Sequence, residues 1–511
     1  MANALYSNNE IRRIEQTAMA ELPCGVLMQR AGQSAAKLAL QLLPAKTSGT
    51  VVLVLAGPGN NGGDALEAAS ILALSGIHVS VMLFADRAKH SPEAKQALQR
   101  AENSPVDWVN TASPALAAST VTARPWSLVV DGLFGIGLKQ PISGDLRTLV
   151  ETVNTLSCPI LSLDNPSGLN ADNGSITGEH GVAGIAIRAS HTMTFIGDKP
   201  GLHTLHGRDY AGQVHVADLG IRRDHFPPPH MWLNQVALFA GGLKRRMHES
   251  HKGNFGNVAV IGGSQGMAGA PVLAARAALQ CGAGRVYAVF PETVPAYDSF
   301  HPELMYRQAR EFDNSTAILV AGPGFGRTQA ARDLMGGILD SENALVLDAD
   351  ALNLIAENTE LRQKTNRRNH ETLMTPHPLE AARLLSATTA QVQSDRLNAA
   401  RRLAKEFNAT VILKGSGTVI AAPDGKIVVN ATGNPALATA GSGDVLAGIC
   451  GALLAQKWPA WEAALGAVWM HGKAADDLVD QGIGPIGLTA GELIPAVRAC
   501  LNRLTEKHAR E

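Results

Sequence analysis

The chain has 511 residues, more than one hydrophobic core normally supports, so two domains of ordinary size are expected. Its 44 Lys and Arg against 45 Asp and Glu leave a formal charge of -1, which removes any global attraction for nucleic acid or an anionic membrane and favours a small-molecule partner. Cys24, Cys158, Cys281, Cys450 and Cys500 are scattered, odd in number and without a CxxC pair, which argues against a disulfide framework or a zinc site and suits a reducing cytoplasm.

The N-terminal stretch MANALYSNNEIRRIEQTAMAEL carries charges where a signal peptide needs an apolar core. The longest apolar runs, VLAGICGALLA among them, are too short to span a bilayer. From residue 50 onward short apolar runs alternate with helical patterns: TVVLVLAGPG, IHVSVMLF, WSLVVDGLFG, CPILSLDNPSG and HTMTFIG. Fully apolar runs ending in Gly, Asp or Asn are what parallel strands buried on both faces look like, with functional residues at their carboxyl ends. They predict a first α/β domain over residues 1–221. In IRRDHFPPPHMW three consecutive prolines can continue neither a helix nor a central strand, so residues 222–235 are expected to be a linker. The pattern restarts with NVAVIGGSQG, GRVYAVFP, TAILVAGPGFG, NALVLDADALN, ETLMTPHP and ATVILKGSG, which predicts a second parallel α/β domain over residues 236–511.

In the first half, NNGGD (Asn60, Asn61, Gly62, Gly63, Asp64) follows the first strand directly. Consecutive glycines let backbone N–H groups approach a ligand at a helix N-terminus, although the same residues also suit a helix cap. The third and fourth predicted strands end in DGLFGIGLKQP, with Asp131, and LDNPSGL, with Asp164 and Ser167. At the carboxyl edge of a parallel sheet Asn61, Asp131 and Ser167 can converge as hard oxygen ligands. An oxygen-only set with few charges suits a monovalent cation better than zinc, and Asp164 in the same crevice suits a proton shuttle.

The order NNGGD, DGLFGIG, DNPSGLNADNG, HTMTFIGDKPGL closely resembles the NAD(P)H-hydrate epimerase domain and spans nearly all of the first half. The resemblance implies a site that binds a nicotinamide nucleotide hydrated on its ring and interconverts its R and S forms, with potassium near the ligand. Matched motif by motif, Asn61, Asp131 and Ser167 would hold the potassium. Asn60 to Asp64, the run Gly135, Ile136, Gly137, Leu138, Lys139, Gln140 and Pro141, and Asp164 would contact the hydrate. The chain departs from that family at Ala65, where NNGGDG is common, and at Asn165, where DIPSGL is common.

In the second half, AGSGDVLAG places small residues and Asp444 at the start of an apolar helix. Phosphoryl transfer needs donors for the transferred group, which the N–H groups of Ala440 to Gly443 supply, and a base for the attacking hydroxyl, which Asp444 supplies unless it only caps the helix. VILKGSGT carries Lys414 into the turn Gly415, Ser416, Gly417 and Thr418, suited to nucleotide phosphates, and TPHP puts His377 at a strand end. The glycine loop of GNVAVIGGSQGMAGAP lacks a strict GxGxxG with its downstream acid, which disfavours a dinucleotide dehydrogenase, and no GxxxxGK[ST] is present, which excludes a P-loop kinase.

The run GNVAVIGGSQGMAGAPVLAARAAL with AGPGFGR, LDADALN, TPHP, ILKGSGT and GNPALATAGSGDVLAG resembles the ribokinase-like NAD(P)H-hydrate dehydratase domain. The whole chain is thus similar to the bifunctional NAD(P)H-hydrate repair enzymes of bacteria. That resemblance implies a Rossmann-like αβα sandwich followed by a ribokinase-like α/β domain, and ADP-dependent dehydration of the S hydrate to NAD(P)H with AMP and phosphate as products. Lys414, Gly415, Ser416, Gly417, Thr418 and Gly443 would bind the nucleotide. Ala268, Gly326, His377 and Asp444 would contact the hydrate, with Mg2+ neutralising nucleotide charge. The partners expected are hydrated NADH and NADPH, ADP and further copies of the chain in a homo-oligomer. Departures here are Leu379 and Ala436, each where Gly is usual, and AGEL in place of ASDL. Two alternatives stay open on the residues alone: a ribokinase-like small-molecule kinase that stops at the phosphorylated alcohol, and a nucleotide-sensing binding protein.

Overall fold

The computed structural model describes residues 3–44, 49–86, 88, 90–110, 114–138, 140–178, 183–296 and 298–509. Lys139, expected in the first site, lies outside the described residues. The chain divides into two compact units, one running Ala4–Met231 and the other beginning at Trp232.

The first unit is built on seven strands: β1 Val51–Ala56, β2 His78–Leu83, β3 Asp107–Val109, β4 Leu128–Gly132, β5 Ile160–Leu163, β6 His191–Phe195 and β7 Gln213–Ala217. They pair in the order β3-β2-β1-β4-β5-β6-β7, every pair parallel. The apolar run of β1 serves both faces. Val52, Val54 and Ala56 belong to one hydrophobic cluster and Leu53 and Leu55 to another, because side chains alternate across a strand and helices cover both sides. The chain winds outward from β1 to β3, then returns to the other side of β1 at β4. That reversal opens a crevice at the carboxyl ends of β1 and β4, where ligands bind in open α/β sheets. Because β3 is a short edge strand with no sequence signal, the stretch ending at Asp131 is the fourth strand and not the third, and the one before Asp164 is the fifth.

The second sheet has ten strands: β8 Met231–Leu233, β9 Asn257–Ile261, β10 Arg285–Phe290, β11 Met305–Gln308, β12 Ala317–Ala321, β13 Leu345–Leu347, β14 Thr372–Met374, β15 Thr410–Leu413, β16 Thr418–Ala421 and β17 Ile427–Asn430. Their order is β11-β10-β9-β12-β13-β14-β15-β16-β17-β8, with a switch point between β9 and β12. The expectation of a wholly parallel second sheet needs correction. Pairing is parallel from β11 to β15, but β15–β16 and β16–β17 are antiparallel. Only Lys414 to Gly417 separate β15 from β16, too short a connection for the crossover that a parallel neighbour requires.

The helix Ser442–Ala455 is buried almost all round and packs against the helix Gly269–Gln280. Gly448 makes the approach possible, since a Cβ there would lie 2.1 Å from the carbonyl oxygen of Ala274. Among the described residues no helix is long and apolar enough to cross a membrane, and all five cysteines are free.

Candidate active sites

After β1 the chain turns through residues 57–59 into the helix Asn60–Leu74, whose cap is Gly59 with no side-chain capping bond. Asn60 to Asp64 are therefore the first helical turn, and the capping alternative for them fails. Gly62 and Gly63 serve packing: a Cβ would fall 2.0 Å from the Gly57 carbonyl oxygen in one case and 2.6 Å from Met28 Sδ in the other. A cavity of about 670 Å³ opens beside this turn, lined by Asn60, Asn61, Asp64, Gly135, Ile136, Gly137, Leu138, Gln140 and Asp164. Gly62, Gly63 and Pro141 are not among its lining residues. One wall was not foreseen: Ile11, Arg12, Glu15 and Met19 project from the helix Asn8–Met19.

Asp131 at the end of β4 is fully buried. Its Oδ1 accepts from Ser167 Oγ at 2.6 Å, and its Oδ2 from Ser162 Oγ at 2.7 Å and the Ser167 N–H at 3.0 Å. Burial outweighs these bonds and holds the Asp131 carboxyl above its ordinary range. The Asn61 carboxamide is buried with neither Oδ1 nor Nδ2 partnered. A buried carboxyl with a hydroxyl beside it and an orphaned amide nearby fit a weakly charged cation with oxygen ligands.

Asp164 adopts a left-handed backbone, φ 61°, uncommon for a residue with a Cβ. Its Oδ2 accepts the Ile136 N–H at 3.0 Å, and its Oδ1 lies 3.0 Å from Lys199 Nζ. Gly135 must be glycine here, because a Cβ would sit 2.6 Å from Asp164 Oδ2. Asp64 is pushed well above the carboxylate range by burial, then by Asp164, Glu15 and Glu67. The two departures in this half are locally explained. Ala65 is buried facing Gly132, where a Cβ would be 2.4 Å from that of Ala65, and it is not a lining residue. Asn165 Nδ2 donates to the carbonyls of Pro166 at 3.0 Å and Leu169 at 2.5 Å, tying the turn together.

In the second unit, the helix Ser442–Ala455 is capped by Gly441, φ 87°, so Asp444 is its third residue and not its cap. Burial, helped by Asp348 and opposed by Lys414, pushes the Asp444 carboxyl to about 7. Lys414 Nζ lies 2.7 Å from Asp348 Oδ1, which also accepts from Thr375 Oγ1 at 2.7 Å. Burial would lower the Lys414 ammonium, but Asp348, Glu380 and Asp444 together hold it above its usual value. A Cβ on Gly443 would be 3.3 Å from Lys414 Nζ and 3.9 Å from Asp348 Oδ2, so these groups share one corner. The turn after Lys414 is set from below by the buried Arg396, which donates to the carbonyls of Leu413 at 3.1 Å and Lys414 at 3.2 Å. Thr418 Oγ1 donates to the Gly415 carbonyl at 3.1 Å, and Ser416 is exposed.

His377 caps the helix Pro378–Leu384: its Nδ1 accepts from the N–H groups of Leu379 at 3.1 Å and Glu380 at 3.3 Å, and Nε2 is 3.2 Å from Glu380 Oε1. It has a structural task whatever it does for a ligand. Gly326, φ 77°, donates its N–H to Asp350 Oδ2 at 3.0 Å, and Ala268 caps the helix Gly269–Gln280. Leu379 is 45% exposed, so its bulk points into solvent, while Ala436 is buried. Asp348 and Glu380 were not singled out beforehand, although LDADALN ends a strand in Asp and TPHPLE has Glu at capping-box spacing. Among the described residues no three His, Cys, Asp or Glu side chains are grouped to hold a metal ion.

The family described as YjeF-related protein N-terminus matches residues 24–201, and the family described as NAD(P)H-hydrate dehydratase matches residues 258–496. A protein of Coxiella burnetii named bifunctional NAD(P)H-hydrate repair enzyme Nnr is 36% identical over 515 residues, covering 98% of this chain and 99% of the relative. The chain belongs to the bifunctional NAD(P)H-hydrate repair enzyme family. For the second half of this repair-enzyme chain, the ADP-dependent (S)-NAD(P)H-hydrate dehydratase of Neisseria meningitidis is 48% identical over 279 residues, 53% of this chain and 94% of that one. A solved structure of an ADP/ATP-dependent NAD(P)H-hydrate dehydratase from Bacillus subtilis, co-crystallised with ATP and Mg2+, is 29% identical with a TM-score of 0.49, covering 53% of this chain and 98% of that chain. The match to the first half of the repair-enzyme family starts at Cys24 and leaves the helix Asn8–Met19 outside it.

Proposed function

We propose that the first site interconverts the R and S forms of hydrated NADH and NADPH, and that the second dehydrates the S form to NAD(P)H, converting ADP to AMP and phosphate. The reading is carried by full-length similarity to repair enzymes, with Asp164 directly after β5 and Asp444 in the helix turn whose Gly443 lies beside Lys414, the residue after β15.

In the first site Asp164 is the proton shuttle at the hydroxyl-bearing carbon, and Asn60, Asn61, Asp64 and the Gly135–Leu138 loop orient the hydrated ring. Asn61, Asp131 and Ser167 would hold potassium, which supplies positive charge beside the ligand and offsets the buried Asp131.

In the second site Asp444 accepts the proton of the ring hydroxyl as that oxygen attacks the β-phosphorus of ADP and the bond to AMP breaks. Hydroxide is a poor leaving group and phosphate a good one. The ring nitrogen lone pair then expels phosphate, and loss of a ring proton restores the double bond. Lys414 and the N–H groups at Gly443 stabilise charge on the transferred phosphoryl group. His377, Ala268 and Gly326 contact the hydrate, and Gly415 to Thr418 hold the adenine nucleotide. Mg2+ would be carried mainly by the nucleotide phosphates and neutralise their charge, in keeping with its preference for phosphate and water over an all-protein cage. A homo-oligomer in the cytoplasm is the proposed setting, the former checked by light scattering.

The test is reduced-nicotinamide absorbance after mixing the protein, ADP, Mg2+ and K+ with both epimers of NADH hydrate, beside controls with ATP or no nucleotide. Recovery of nearly all the absorbance, the R share faster than spontaneous epimerisation permits, is expected. A stable phosphorylated product would instead indicate a kinase, and binding without product a sensor.

A further inference from the structure

Lys199, in the loop after β6, is fully buried, the one lysine so placed among the described residues. Its ammonium touches four oxygens: Thr194 Oγ1, the carbonyls of Phe195 at 3.2 Å and Gly197 at 3.4 Å, and Asp164 Oδ1 at 3.0 Å. Three are neutral, and the charged one belongs to the side chain expected to move the proton. The segment around it is pinned: the carbonyl of Asp198 accepts the Tyr6 N–H at 2.8 Å, and the carboxyl of Asp198 meets His203 Nε2 at 2.8 Å. Lys199 does not line the cavity whereas Asp164 does.

We infer that Lys199 is a positioning residue of the first site, fixing the Asp164 carboxylate toward the ligand from behind. With Oδ2 held by the Ile136 N–H and Oδ1 by Lys199, the carboxylate cannot rotate freely, and its remaining lone pairs are presented in one orientation. The cation also answers a charge problem. Asp64 from the helix Asn60–Leu74 and Glu15 from the helix Asn8–Met19 line the same cavity as Asp164, so three acidic side chains share this site with one buried ammonium behind them. Taking an ammonium out of water is costly unless its partners are well placed, and here four oxygens meet it, one of them on the side chain expected to move the proton. This inference rests on the reading of the cavity as the epimerase site.

The experiment follows loss of an excess of R hydrate by chromatography without ADP, so that dehydration does not intervene. Wild type is compared with Lys199→Met, similar in length but uncharged, and with Thr194→Val, which removes one acceptor of the ammonium while keeping shape. Lys199→Met is expected to lower kcat roughly 10- to 100-fold, as loss of a group that orients a reactive one does, with KM changed less than about 3-fold. Thr194→Val should give a smaller fall in kcat, again at unchanged KM. ADP-dependent dehydration of S hydrate by the same samples should stay at the wild-type rate, which reports an intact second unit, and folding of the first unit is read from its own thermal transition. A folded Lys199→Met with wild-type kcat, or a loss confined to KM, overturns the inference. Where Lys199→Met does not fold, an unchanged kcat in Thr194→Val overturns it. If the wild-type chain itself leaves the epimer ratio untouched, the reading of the cavity falls and the inference with it.

Discussion

Asp444 and Glu380 show how burial, reinforced by the neighbouring Asp348, can bring a carboxyl's pKa close to neutral pH. Both are pushed to about 7 with desolvation the largest cause, and both are partly rescued by Lys414. Only Asp444 stands in the first turn of the helix Ser442–Ala455; Glu380 is occupied with the His377 backbone N–H at 2.8 Å. A base works unprotonated, so dehydratase kcat/KM is expected to fall as pH drops through about 7 and to level off above it. In Glu380→Gln that acid limb should persist, and its disappearance would transfer the base role to Glu380. Asp444→Asn should retain ADP binding by calorimetry while turnover drops by about 10³-fold, within the range general-base catalysis contributes. Gly135→Ala is the counterpart in the other half: its Cβ, 2.6 Å from Asp164 Oδ2, should cripple epimerisation and leave dehydration unchanged. Asp131, Asp164, Ser167 and Asp444 were legible as site candidates because each lies at a strand end, in the turn just after one or in the first turn of a helix, within a recognisable motif. Lys199 was not, since a lone lysine in GDKPG carries no mark of its burial.

The runs VVLVLA, LVVDG and ILSL in the first half, and NVAVI, AILVA and TVIL in the second, announced their strands because fully apolar segments bounded by Gly, Asp or Asn leave little else to form. Short edge strands such as Asp107–Val109 did not, because three partly exposed residues make no pattern. The direction of β16 and β17 was also missed: a run such as TVIA reads the same parallel or antiparallel, and the short Lys414–Gly417 turn decided it. AGSGDVLAG illustrates the converse, since both a cap and a base predict an Asp near the helix start and only the left-handed Gly441 separates them. Further along the same helix, Gly448→Ala should destabilise the second unit by about 1–3 kcal/mol, the usual cost of overpacking, measured as a lower denaturation midpoint. An unchanged midpoint would mean that the two helices separate without penalty.

Two compact units on one chain need not share their stability. ADP belongs to the second site alone, so in thermal unfolding it should raise only the transition of that unit, by about 2.7 kcal/mol at a hundredfold excess over Kd. A shift of both transitions would show that the units unfold together. A fused arrangement also suits the chemistry: spontaneous hydration gives both epimers, and a dehydratase specific for S would strand the R form. The sequence by itself determined the α/β class, the two halves, the strand-end aspartates and the family resemblance, because these depend on local periodicity and on motifs contiguous in the chain. Only tertiary structure decided which residues meet. Asp348 reaches Lys414 across 66 positions, Asp164 is backed by a buried lysine, and a wall of the first cavity comes from a helix near the N-terminus. Burial and through-space charge arise when distant segments pack, and no window along the chain contains them.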